Sequence, residues 1–211
     1  SQKIMASRGR GTDYKDMAVL YRSNILSKAI EVALRSARIP YKVYGGQSLF
    51  EKKEVRDFIA YIRLIGNTRD RLALWRIINV PNRGIGLKSI EQIDNKSKEQ
   101  SQEPYDLMLS QREVLSSSVQ KSVSGFCDEV EHVRSLPDNT PENLIAIGKA
   151  VIRRFELGRE LRSRTKDNNR LQAKISLLNS LPKWLGDLGE QCLGDGLVCS
   201  LQNVLEHLTL D

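Results

Sequence analysis

The chain has 211 residues, enough for one sizeable core or for one domain and part of another, and its 40% hydrophobic and 28% charged residues are ordinary for a globular protein. No apolar run approaches the roughly 18 residues of a membrane helix, and the opening SQKIMASRGRG carries no apolar leader stretch, so the sequence predicts neither a membrane span nor secretion. The formal net charge of +7 fits a polyanionic partner and is unevenly placed: residues 1–112 hold 21 Lys+Arg against 12 Asp+Glu, residues 113–211 hold 12 against 14.

In chain order, the first unit is the apolar run MAVLYR (17–22), followed by a helical pattern over residues 25–36 on which Ala29, Ile30, Ala33 and Leu34 recur at helical spacing. The Ile39-Pro40 step ends that helix, and YKVYGG (41–46) predicts a short strand closing in a glycine turn. Strand, helix, strand within about thirty residues is the opening of an α/β unit. From Gln47 onward the pattern turns helical: residues 51–64, with Val55, Phe58, Ile59 and Ile62 on one face, then 72–78 before Pro81, then 89–97 after the turn PNRGIG. Longer helical patterns follow near 113–135, 141–162, 168–186 and 198–209, with breaks at residues 137–139 and 186–196. The expected architecture is mainly α, an all-helical domain over 47–211 preceded by an α/β fragment over 1–46.

Catalytic chemistry is not visible. A nucleotide hydrolase needs a GxxxxGK[ST] loop and a downstream acidic pair for magnesium, and Gly45-Gly46 runs into Gln47-Ser48 with no lysine. The two histidines, His132 and His207, lie in amphipathic helical patterns without a nucleophile motif, and the three cysteines form no CxxC pair, which predicts free thiols in a reducing cytoplasm and no metal site.

Binding chemistry is more legible. In PNRGIGLKS (81–89) two glycines flank Ile85, and a helix starts directly after Gly86, so its first N–H groups and the positive end of its dipole face outward. Arg83, Gly84, Ile85, Gly86, Lys88 and Ser89 thus form a candidate phosphate site; a tight turn between packed helices is the competing reading. The segment resembles the glycine–apolar–glycine hairpin by which helix-hairpin-helix modules hold duplex backbone. A second candidate is Arg22, Ser23 and Asn24 at a strand end, against which stands a simple helix cap at Ser23 or Asn24. The third, Arg153, Arg154, Arg159, Arg162, Arg164 and Lys166, reads as a solvated helix face, with Ile152, Phe155 and Leu161 turned inward.

Together these segments resemble a family. AVLYRSN (18–24), Ser27, Glu31, Leu34 and IPYKVYGG (39–46) are similar to the second RecA-like domain of UvrD/Rep/PcrA-type superfamily 1 DNA helicases. Phe50, EVRDFIAYIRLIGN (54–67), Asp70 and RIINVPNRGIG (76–86) resemble the start of the inserted helical 2B subdomain. The likeness is dense over residues 13–93, and VIRRFELGRELRS (151–163) looks like later helices of the insertion. The resemblance implies a parent enzyme that binds ATP and Mg²⁺ between two RecA-like domains and moves 3′ to 5′ on DNA, this piece falling after the first of those domains and holding no cofactor itself. It implies that Arg22, Ser23 and Asn24 lie near the single-strand track, that Arg83, Gly84, Ile85, Gly86 and Ser89 touch duplex backbone, and that Gly45 and Gly46 form the hinge. Implied partners are DNA, the rest of the helicase chain, and repair or replication proteins. Thr68-Arg69-Asp70 departs from the family's proline and acidic residues there, which implies a more basic edge.

Overall fold

The computed structural model describes residues 1–21, 24–43, 49–110 and 117–208. Among these residues helices are the only regular elements. They are α1 (Gln2–Gly9), α2 (Asn24–Ser36), α3 (Lys53–Gly66), α4 (Arg71–Ile77), α5 (Leu87–Glu99) and α6 (Pro104–Ser110) in the first half. The second half adds α7 (Ser117–Arg134), α8 (Pro141–Arg154), α9 (Leu157–Arg164), α10 (Asn168–Gly194) and α11 (Leu201–Leu208), with short 3₁₀ turns at Tyr14–Asp16 and Leu49–Glu51. No described helix is long and apolar enough to cross a membrane.

The mainly α expectation holds, but the strand-helix-strand opening does not. Residues 17–21 and 41–43 form no strand, although the helix between them is present. A strand satisfies its backbone groups only through a neighbour, and the described residues offer these two short segments no sheet to join. Arg22 and residues 44–46 of the expected strands lie outside the described residues. Ala29 and Ala33 are correspondingly exposed, while Leu34 and Ile39 are buried.

The core is built on α3, which packs against α4, α7, α8, α10 and α11. Val55, Phe58 and Ile62 are buried as their spacing predicts, together with Tyr61, Leu64 and Ile65, so α3 is apolar over much more than one stripe. The other main contact is α8 on α10. Their approach is close because Gly148 lies against Pro182: a Cβ at residue 148 would sit 2.9 Å from the Pro182 Cα. Pro182 lies inside α10 and has no N–H to donate back to residue 178, so packing against α8 sustains the helix across that gap.

Local chemistry sets the helix starts. The Asp70 carboxylate caps α4 by accepting the Ala73 N–H (2.9 Å), and its second oxygen accepts the Arg63 Nε–H (2.7 Å). Thr140, with Pro141 behind it, caps α8, and Asp167 caps α10 by accepting the Arg170 N–H (2.7 Å). The single helix expected over 141–162 is two, separated by Glu156 in the left-handed region (φ 49°). The N-terminal part is tied to this core: the Leu49 N–H donates to Glu31 Oε2 (2.7 Å), the Arg35 guanidinium lies 4.3 Å from the Phe50 ring, and Phe50 meets Trp184 at 5.4 Å. Cys127, Cys192 and Cys199 are buried and in no disulfide, and burial pushes the latter two thiols up, keeping them protonated.

Candidate nucleic-acid interface

The segment joining α4 to α5 is a hairpin whose inside is fastened and whose tip is bare. Three side chains fasten it. Asn79 Oδ1 accepts the Arg83 N–H (2.7 Å) and the Ile85 N–H (3.3 Å), and Asn82 Oδ1 accepts the Gly84 N–H (2.9 Å). Arg83 is the third. Its Nη1 donates to the carbonyls of Ile77 and Ile78 (both 3.0 Å) and Pro81 (3.3 Å), and its Nη2 donates to Tyr61 Oη (2.7 Å). The guanidinium also stacks beside Phe126 (5.0 Å) and Phe155 (5.8 Å). The Tyr61 hydroxyl in turn donates to the Val80 carbonyl. Burial pushes the Tyr61 phenol up to about 12, against the opposing pull of Arg83, so it stays a neutral donor and acceptor.

At the tip the picture reverses. Gly84, Gly86, Leu87 and Lys88 are exposed, Ser89 is half-buried, and only Ile85 is buried, at 0% exposure. Gly84 needs to be glycine, because its φ is +74°. Gly86 does not: its φ of −80° and ψ of 172° suit any residue, and a Cβ there would meet nothing within 4 Å. As N-cap of α5 it also forgoes the side-chain cap that Ser, Asp or Asn would supply. The Ser89 and Ile90 N–H groups turn back to the Gly86 carbonyl (3.0 and 3.1 Å), while the amides of Leu87 and Lys88 precede any carbonyl the helix can offer them. The result is a patch of backbone donors at the positive end of a 13-residue helix, with one exposed ammonium beside it.

The angle of this patch is set by the helix pair. Arg71 pairs with Asp94, which also accepts Lys98 Nζ (2.6 Å); the Lys98 hydrogen bond, then that from Arg71, holds the Asp94 carboxyl below its usual range despite some burial.

Of the residues singled out in the sequence, Gly84, Gly86, Lys88 and Ser89 come together at the tip, Ile85 anchors it from below, and the Arg83 charge points inward. Asn24 opens α2, whereas Arg22, Ser23, Gly45 and Gly46 lie outside the described residues. In the arginine-rich run, Phe155 is buried, and Arg154, Arg159 and Arg164 pair with Glu129, Glu156 and Glu160. The sequence reading missed Tyr61, Asn79 and Asn82. Asn82 was findable, since Asn two residues before Gly is the signature of a side chain closing a turn. No described group of three or more His, Cys, Asp and Glu residues is arranged to hold a metal ion.

The described residues thus form a helical body on which the α4–α5 hairpin presents backbone donors at a helix start. The chain belongs to the family of UvrD-like helicase C-terminal domains, which it matches over residues 1–211, and it is of the UvrD/PcrA type of superfamily 1. It is similar to the ATP-dependent DNA helicase PcrA of Staphylococcus aureus (strain Mu50 / ATCC 700699), at 37% identity over 107 residues. It is likewise similar to the PcrA of Staphylococcus epidermidis (strain ATCC 12228 / FDA PCI 1200), at 38% over 107 residues. Each alignment takes in 51% of this chain but only 15% of the relative's length.

Proposed function

We propose that this chain is the accessory, regulatory DNA-binding region of an ATP-dependent 3′–5′ DNA helicase, gripping duplex through its phosphates without reading sequence. The observation that supports this most is Gly86. Neither its backbone angles nor its surroundings require glycine, and a side-chain cap has been given up, so the advantage of a bare backbone lies outside the protein, where a ligand backbone approaches. The amides of Leu87 and Lys88, the Lys88 ammonium and the Ser89 hydroxyl supply the donors. Arg83 and Ile85 serve the same contact from behind, by holding the hairpin in shape.

In this reading residues 1–46 belong to a RecA-like domain, residues 47–211 form the 2B-type insertion, and Gly45 and Gly46 are the hinge between them. Arg22, Ser23 and Asn24 lie along the single-strand track. ATP and Mg²⁺ are held elsewhere in the parent enzyme, which works in the cytoplasm with DNA and with repair or replication proteins. Fluorescence anisotropy with a short labelled duplex tests the grip: affinity is weak, indifferent to sequence, and falls steeply between about 50 and 200 mM salt as counterions are released. Affinity that ignores salt, or no binding at low salt, refutes it.

A second reading, a protein-docking or self-association module without DNA contact, has one observation in its favour. Leu193, Leu197 and Val198 are exposed together around the end of α10. Salt-insensitive self-association by sedimentation, lost on Val198→Asp, would support that reading.

A further inference from the structure

Beside the hairpin lies an open cleft of about 540 Å³. Pro81, Asn82 and Arg83 form its near side, α7 contributes Lys121 and Phe126, and the α8–α9 corner contributes Arg154 and Arg159. Its volume corresponds to on the order of 20 water molecules, far more than a single ion needs. It is not built for an apolar ligand either, since the Arg83 guanidinium lies alongside Phe126 and Phe155 and the walls carry charge.

We propose that this cleft receives the phosphodiester backbone of the same duplex that the hairpin grips, with Lys121 and Arg159 as its phosphate contacts. The inference rests on the hairpin reading and extends it. Three observations carry it. The cleft is continuous with the hairpin tip, because Asn82, which lines it, holds the Gly84 amide at 2.9 Å. Lys121 is exposed and makes no ion pair with a described residue. Arg159 pairs with Glu156 at 3.1 Å, but their side chains are 78% and 55% exposed, so that pair is worth little and exchanges readily for a phosphate. Arg154 differs. It is held by Glu129 at 2.7 Å and reaches from α8 to α7, fixing the cleft's width rather than contacting ligand. Glu129, Glu156 and Glu160 line the same cleft against the four basic side chains Arg83, Lys121, Arg154 and Arg159, so its net positive charge is small.

The test is anisotropy of the 211-residue chain with a fluorescein-labelled duplex across a salt series. The Lys121→Ala/Arg159→Ala double variant is expected to lower low-salt affinity roughly tenfold and to reduce the slope of log K against log salt by about 2, one unit per lost contact. Lys121→Arg keeps the slope. Both positions are exposed, and an unchanged thermal melt confirms the fold. If the double variant binds as wild type while Gly86→Val is impaired, the cleft assignment is overturned and the hairpin stands. If the double variant is impaired and Gly86→Val is not, the cleft holds and the hairpin reading falls; if neither is impaired, both fall. Binding of a labelled oligoglutamate with duplex-like affinity, lost in the same double variant, would overturn the assignment to nucleic acid.

Discussion

Gly86→Val separates what the fold needs from what the ligand needs. Valine fits the observed angles, φ −80° and ψ 172°, and its Cβ enters empty space. Two effects on stability oppose each other. Replacing glycine at a compatible position reduces unfolded-chain entropy and stabilises by about 0.4–1 kcal/mol. Valine is a poorer N-cap than glycine, which costs about as much. The net change stays within about 1 kcal/mol, a shift in Tm of no more than about 4 °C for a chain this size. Binding should respond quite differently. The branched side chain stands over the Leu87 and Lys88 amides, and a backbone donor bonded to a charged phosphate is worth about 1.5–3 kcal/mol. Losing one such bond lowers duplex affinity at least about tenfold. Differential scanning fluorimetry and anisotropy, run on the same preparation, read both quantities. A variant with native Tm and undiminished affinity would show that glycine at 86 has no ligand to accommodate, and the reasoning from it would be wrong.

Other outcomes follow from the hairpin's interior and the core. Arg83→Ala takes a donor from three carbonyls and the Tyr61 hydroxyl, of which only the Ile77 carbonyl keeps another, the Val80 N–H (2.9 Å), so it should destabilise the fold by about 3 kcal/mol, near 10 °C in Tm; a native melt would refute the strut. Tyr61 has its folded pKa raised, from 10.0 to about 12, so its contribution is complete below pH 10 and is lost as pH climbs from there through 12. Chemical denaturation of Tyr61→Phe across that window should therefore show a shallower alkaline loss than wild type, whose Tyr105 is also raised by burial and remains in both proteins. Gly148→Val drives a side chain into the Pro182 backbone and should cost more than about 3 kcal/mol by denaturant titration, whereas Gly125→Ala, exposed inside α7 with open space at its Cβ, should stabilise by up to about 1 kcal/mol.

Much of the helical order could be read from the sequence where a strong apolar period coincided with a cap or a breaker. The helices α2, α3, α4 and α5 fall within two residues of their expected starts, because Asp70, Pro81 and the glycines of the hairpin mark the boundaries chemically. The failures have physical causes of their own. Pattern alone proposes strands at 17–22 and 41–46, but strand formation depends on partners that a local pattern does not contain. The corner at Glu156 was invisible, since glutamate carries no signal for positive φ. Conversely, the break expected over 186–196 starts too early, since α10 continues to Gly194: Gly186 and Gly189 serve tight packing against α8 and not chain reversal. The candidate site divides in the same way. The exposed donors of residues 84–89 were legible from glycine spacing and a helix start. The inward turn of Arg83 was not, because it is decided by Tyr61, Phe126 and Phe155, which lie 22, 43 and 72 positions away in the sequence.

In the proposed grip the bare amides at the start of α5 hold duplex backbone, and amide NMR observes those atoms themselves. In a ¹⁵N-labelled sample titrated with duplex at low salt, the Gly84, Gly86, Leu87 and Lys88 amide resonances should move together, saturate, and return when salt is raised. Resonances that stay in place at these four positions while others respond to DNA would contradict it.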